Sequence, residues 1–175
     1  GHSQPSRLNK KAQTEISELA KNAVKAIKLE NGPAHAEIMY TSSGPKMIEI
    51  GARMGGDNIT THLVPLSTGI DMVKATIDIA MGNVPNITKK WEKGSAIKYM
   101  VGSKGNISSI SGVDEAKGIK GVTEIVLLKS VNDEIVNVCN SSDRIGYVIA
   151  QAEKVEDAMN ICEKATNKID IKIEL

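Results

Sequence analysis

The sequence predicts an α+β fold in two parts, and three observations predict it. Apolar residues recur at helical spacing near the start of the chain, two alternating runs then flank a turn signal at 41–45, and short strand-like runs dominate after about residue 93. The 175 residues, 41% hydrophobic and 25% charged, suffice for one sizeable domain or two small ones around a real apolar core. Lysine and arginine total 22 against 21 acids, a formal charge of +1, which removes the electrostatic case for nucleic acid or a membrane surface as a partner. Only Trp91, Tyr40, Tyr99 and Tyr147 are aromatic and phenylalanine is absent. No base-stacking platform is expected, and the core falls to Ile, Val, Leu, Met and Ala.

Gly1, His2 and Ser3 read as a cloning scar and residues 3–13 as a polar, basic, frayed lead-in; with no initiator Met, the chain reads as a piece of a longer protein. From Thr14, the residues Ile16, Leu19, Ala20, Ala23, Val24 and Ile27 trace the stripe of an amphipathic helix, stopped by Asn31-Gly32-Pro33. Runs 34–41 and 46–53 read as a β-hairpin around Thr41-Ser42-Ser43-Gly44-Pro45. Past Met54-Gly55-Gly56-Asp57, a helix is expected over 69–81 on the stripe Ile70, Val73, Ile77 and Met81. Thr68 and Asp71 suit its start, and Gly82 sits past its end. Asn83 to Gly94 reads as a loop.

In the second half, Ala96–Val101 and Asn106–Ile110 are expected to pair as a hairpin across Gly102-Ser103-Lys104-Gly105. A helical turn at Val113–Lys117 and strands near 122–128, 134–138 and 146–151 follow. A helix carrying Val155, Ala158, Met159, Cys162 and Ala165 and a strand on Ile169, Ile171 and Ile173 complete the chain. The expected parts are thus a 1–13 lead-in, a 14–92 first domain and a 93–175 strand-rich lobe. Cys139 and Cys162 lie far apart with no metal-ligand spacing, the usage of a reduced cytosolic protein. No apolar run reaches the ~18 to 20 residues of a membrane span, and no signal sequence opens the chain.

The chemistry concentrates in the 34–53 hairpin. A three-residue loop, Ser42 to Gly44, pairs Thr41 with Pro45 and so sets Glu37 opposite Glu49 and His35 opposite Gly51. Alternation gathers His35, Glu37, Met39, Met47, Glu49, Gly51 and Arg53 on one face. Ala36, Ile38, Tyr40, Ile48, Ile50 and Ala52 form the other, which packs. Like charges across a ladder repel, by under ~1 kcal/mol when exposed, and a shared cation removes the conflict. Oxygen ligands from two strands suit Mg²⁺, which keeps several waters and is completed by substrate phosphates.

The same residues also read as a solvated strand face whose acids are relieved by Arg53 or nearby lysines, since a two- or four-residue loop would shift the register. Arg53 is then a salt-bridge partner and His35 a hydrogen-bonded structural group. Gly55-Gly56 is either a flexible turn or a loop whose missing side chains let a ligand approach the backbone; it matches no phosphate-cradle motif. His62 and Asp57 either face the same cleft or are ordinary loop groups.

The run Gly32-Pro33-Ala34-His35-Ala36-Glu37-Ile38, the hairpin, and Ile48-Glu49-Ile50-Gly51-Ala52-Arg53-Met54-Gly55-Gly56-Asp57 resemble the end of an ATP-grasp domain, as does Gly69-Ile70-Asp71 with its helix. Ser141-Ser142-Asp143-Arg144-Ile145-Gly146-Tyr147-Val148-Ile149-Ala150, then Glu156-Asp157-Ala158, resembles the C-terminal segment of L-amino-acid ligases and biotin-carboxylase-like proteins. With Val113-Asp114-Glu115-Ala116 and Gly121-Val122-Thr123-Glu124 the resemblance covers roughly 14–174. It implies a C-terminal ATP-grasp subdomain, an antiparallel sheet with helices, followed by a strand-rich C-terminal lobe. It implies that Glu37 and Glu49 bind the Mg²⁺ that bridges the ATP phosphates, with Mn²⁺ able to substitute. Arg53 would help hold the phosphates or an acyl phosphate, and Gly55, Gly56 and His62 would shape the acceptor side. Where the usual motif has Asn two residues after the second acid, this chain has Gly51, which resembles the branch of L-amino-acid ligases and related carboxylate–amine ligases.

The function implied is an ATP-dependent ligase that activates a carboxylate as an acyl phosphate and passes it to an amine. In that superfamily an earlier subdomain carries the glycine-rich phosphate loop and the adenine-contacting lysines, and nothing before Thr14 supplies them. The expectation is therefore a C-terminal fragment, inactive alone. Its partners would be the missing N-terminal part of the same polypeptide and small-molecule carboxylate and amine substrates, in the cytoplasm, with a homodimer allowed. Two other readings stay open: a carbamoyl-phosphate-synthase-like or biotin-carboxylase-like enzyme using bicarbonate, and a non-catalytic docking module.

Overall fold

The computed structural model describes Gly1–Glu174. In chain order the elements are β1 (His2–Gln4), α1 (Lys10–Ala26), β2 (His35–Thr41), β3 (Gly44–Gly51), a π-helical turn (Ile59–Leu63), α2 (Val64–Thr68) and α3 (Met72–Ala80). They continue as β4 (Gly94–Met100), β5 (Gly105–Ser111), α4 (Val113–Lys117), β6 (Val122–Leu127), β7 (Glu134–Ile135), a 3-10 turn (Ser141–Asp143), β8 (Gly146–Ala152), α5 (Val155–Thr166) and β9 (Asp170–Glu174). All strand pairs are antiparallel and the sheets alternate with helices, which is the α+β class expected. Two compact units result: Ser6–Lys90, and Gly1–Pro5 together with the chain from Trp91 onward. No helix among the described residues is long and apolar enough to cross a membrane.

In the Ser6–Lys90 unit, α1 starts where the Asn9 side chain accepts a hydrogen bond from the Ala12 N–H at 2.9 Å. The helix therefore opens at Lys10, inside the stretch expected to be frayed, because a cap fixes a helix start without needing apolar residues. α1 packs on β3 and β2. The single helix expected over 69–81 is two pieces. Pro65 stands in the first turn of α2, Gly69 closes it, and Asp71 restarts the chain as α3 by accepting from the Lys74 N–H at 2.8 Å. α3 packs against the π-helical turn.

In the other unit, one sheet has the order β1-β4-β8-β6 and a second the order β7-β5-β9. β1 pairs with β4, from His2 opposite Ile97 to Gln4 opposite Ser95, so the first residues are a strand and not a loose end. β4 and β5 belong to different sheets, which corrects the expected hairpin. A β-carbon on Gly102 would stand 2.4 Å from the Ile173 Cδ1 and 2.9 Å from the Ile145 Cδ1, so this stretch is a tightly packed corner between sheets. The core lies under α5, whose Ala158, Cys162 and Ala165 are buried against β4 and β8. Small side chains let the helix approach so closely that the Cys162 Sγ reaches the carbonyls of Ala96 and Val148 at 3.4 and 3.5 Å.

Candidate functional site

The β2–β3 ladder sets Glu37 opposite Glu49 and His35 opposite Gly51, the expected register reached by an unexpected route. The loop has two residues, Ser42 and Ser43, and Thr41 pairs with Gly44, whose φ of 90° suits glycine at the turn's exit. That loop alone would misplace the acids by one position. A β-bulge compensates: Ile38 pairs with Met47 and Glu37 with Glu49, leaving Ile48 as the extra residue.

The bulge also corrects the faces. Met47 turns to the packing side and is half-buried, while Ile48 is 60% exposed. Lys46, opposite Met39, joins the acid side. Ala52 and Arg53 lie beyond the end of β3, and Ala52 is exposed instead of packed.

Each acid has a basic neighbour. The Arg53 Nη2 donates to the Glu49 Oε1 at 3.3 Å while its Nη1 donates to the Met54 carbonyl at 3.1 Å. The His35 Nε2 lies 3.5 Å from the Glu37 Oε1. The two carboxylate side chains are 53% and 57% exposed, so these contacts are weak, under about 1 kcal/mol each, and exchangeable.

Two glycines make room for these groups. A β-carbon on Gly51 would stand 3.2 Å from the Arg53 Cγ, and one on Gly55 would stand 2.7 Å from the His35 Nδ1 and 3.2 Å from the Thr60 Oγ1. The hairpin thus brings His35, Glu37, Glu49 and Arg53 together and sets Gly55 against the histidine ring. A β-carbon on Gly56 would meet nothing, so its backbone is open. Asp57 and Asn58, at φ 53° and 60°, then turn the chain left-handed into the π-helical turn. His62 sits in that turn with its Nδ1 2.8 Å from the Thr61 Oγ1. Lys46 and the buried Thr60 escape sequence reasoning. The Asp57-Asn58 pair, residue types that tolerate left-handed backbone, is the signal that could have marked the turn.

Among the described residues, no three His, Cys, Asp or Glu side chains gather closely enough to hold a metal ion as a set. Two opposed, solvent-facing carboxylates are instead a donor set that fits a hard cation which keeps waters and accepts phosphate oxygens.

Residues 99–174 match the family model described as L-amino acid ligase C-terminal domain 2. A phosphoribosylamine–glycine ligase of Methanococcus vannielii is 31% identical over 159 residues, covering 86% of this chain and 35% of that protein. An L-arginine-specific L-amino acid ligase of Bacillus subtilis is 27% identical over 136 residues, covering 77% of this chain and 33% of that protein. The chain therefore spans about a third of the length of these curated relatives. The crystal structure of an L-amino acid ligase from Bacillus licheniformis shares the fold, with a TM-score of 0.85 and 21% identity, over 99% of this chain and 45% of that one. The chain is a relative of the C-terminal part of ATP-grasp superfamily ligases.

Proposed function

We propose that this chain is the metal-binding side of an ATP-dependent carboxylate–amine ligase working through an acyl phosphate. The observation that carries the reading is the direct opposition of Glu37 and Glu49 on a solvent-facing ladder, in a chain whose sequence relatives are ligases that join a carboxylate to an amine. Glu37 and Glu49 would hold Mg²⁺, or Mn²⁺ in its place. The ion, when bound, neutralises charge on the transferring phosphoryl group.

The chain's own residues do the rest. Arg53, one side-chain length from Glu49, can leave that carboxylate to meet phosphate or acyl-phosphate oxygens, where a guanidinium offers two parallel donors. His35, two residues before Glu37 on the same strand, neighbours that carboxylate at 3.5 Å. At Gly56, next to Gly55, a β-carbon would meet nothing, so a ligand could approach the backbone there, and His62 stands on the turn that follows. These three would shape the acceptor side.

The test is a screen of the full-length protein for phosphate release from ATP with pairs of amino acids, with single amino acids and with bicarbonate. Release that needs a carboxylate and an amine together is the expected result. Release with bicarbonate alone would move the protein to the carboxylase-like reading, and none with any acceptor would favour a docking module.

A further inference from the structure

We infer that Gly51 is a positioning residue: by carrying no side chain it lets Arg53 fold back onto Glu49, so that Arg53 and a divalent cation compete for one carboxylate. The inference rests on the reading of Glu37 and Glu49 as cation ligands. A β-carbon at position 51 would stand 3.2 Å from the Arg53 Cγ, 3.3 Å from its Nε and 3.7 Å from its Cζ. The first two fall inside the ~3.5 to 4.0 Å separation of packed atoms. A β-carbon at 51 would therefore crowd the arginine stem, which would have to give by a few tenths of an ångström.

Folded this way, the guanidinium reaches the Glu49 Oε1 at 3.3 Å and the Met54 carbonyl at 3.1 Å. Arg53 lies past the end of β3 and its side chain is 55% exposed, so nothing in the ladder holds the arm except these two contacts. A cation arriving at Glu49 repels the guanidinium and takes its oxygen. The arginine is then released beside the ion, where phosphate oxygens would be. Gly51 thus couples occupation of Glu49 to the freedom of Arg53.

Mn²⁺ titrated into this chain, followed by paramagnetic broadening of the β2 and β3 backbone amide signals, reads cation affinity without any turnover. Gly51→Ala crowds the arginine stem and so loosens its hold on Glu49, and Arg53→Gln removes its charge. The backbone at 51 is open to any L-residue and the atoms met belong to a flexible, exposed side chain, so the alanine variant keeps the hairpin. Each variant should bind Mn²⁺ roughly two- to five-fold more tightly than the wild type, the range an exposed ion pair supplies. The double variant should gain no more than either alone.

Equal or weaker affinity in Gly51→Ala and Arg53→Gln, with broadening abolished by Glu49→Gln, would overturn the competition while leaving the ligand assignment in place. A gain in Arg53→Gln without one in Gly51→Ala would remove Gly51 from the account. Broadening that spares the hairpin, or that Glu49→Gln leaves intact, would overturn both this inference and the cation reading beneath it.

Discussion

Glu37 and Glu49 face each other across a ladder that reaches this register only because Ile48 is bulged out of it. Two like charges in direct opposition are an electrostatic cost that the fold offsets only partly, through His35 on one side and Arg53 on the other.

Removing one of these charges should therefore leave the fold almost as stable as before. Glu37→Gln and Glu49→Gln each relieve the repulsion and each weaken one exposed side-chain contact, and the two effects oppose. Urea denaturation should give changes within about 0.5 kcal/mol in either direction. A loss of several kcal/mol would mean that the acids serve the fold.

Gly112 marks a position where the fold tolerates no side chain. Its φ is 78°, and a β-carbon there would stand 1.9 Å from the Lys168 carbonyl oxygen. Gly112→Ala combines backbone strain with a clash against main chain that cannot swing aside, and should cost about 2 kcal/mol or more. Gly56→Ala, which meets nothing, should cost far less in the same denaturation experiment.

The two cysteines should react differently. Cys139 is exposed and Cys162 buried, and burial pushes the Cys162 thiol up to about 12. Iodoacetamide at neutral pH should label Cys139 alone, with the second adduct appearing only in denaturant, as mass spectrometry would read. Because the folded state holds the Cys162 proton more tightly than the unfolded chain, stability should fall as pH rises from about 9 towards 12. Cys162→Ala should flatten that slope.

Asp143 titrates in the opposite sense. Its carboxylate accepts from the backbone N–H groups of Cys139 and Asn140 at 2.8 and 2.9 Å, which holds its pKa below the ordinary carboxylate value. Its contribution is present above the unfolded value and is lost as pH falls through the depressed one. Protection of the Cys139 and Asn140 amides from exchange should fall in that acid window, and Asp143→Ala should remove it at every pH.

What the sequence revealed divides along a physical line. Elements written in periodicity were legible: the stripe of α1, the alternation of β2 and β3, and the Val155–Ala165 stripe of α5. Features set by a single cap, by non-local pairing or by local irregularity were not. Asn9 starts α1 among polar residues that carry no apolar signal. β1 has three residues, too short for alternation, and its partner β4 lies some ninety positions away. Gly102 and Gly105 look like turn residues because close packing and tight turns demand the same amino acid. At the site, a three-residue loop and a two-residue loop with a bulge place Glu37 and Glu49 identically, so the acid pair was readable although the path to it was not. Lys46 came out on the acid side because a bulge inverts the alternation beyond it.

The magnesium dependence of ATP turnover by the full-length protein tests the central claim most directly. Metal sites lose ten- to a hundred-fold in affinity or activity when only an outer-shell partner is changed, so losing a ligand should cost at least that much. With Glu37→Gln and with Glu49→Gln, the half-saturating Mg²⁺ should rise at least about tenfold or turnover should vanish, while each variant unfolds as the wild type does. Wild-type turnover at wild-type Mg²⁺ in both variants would contradict the claim.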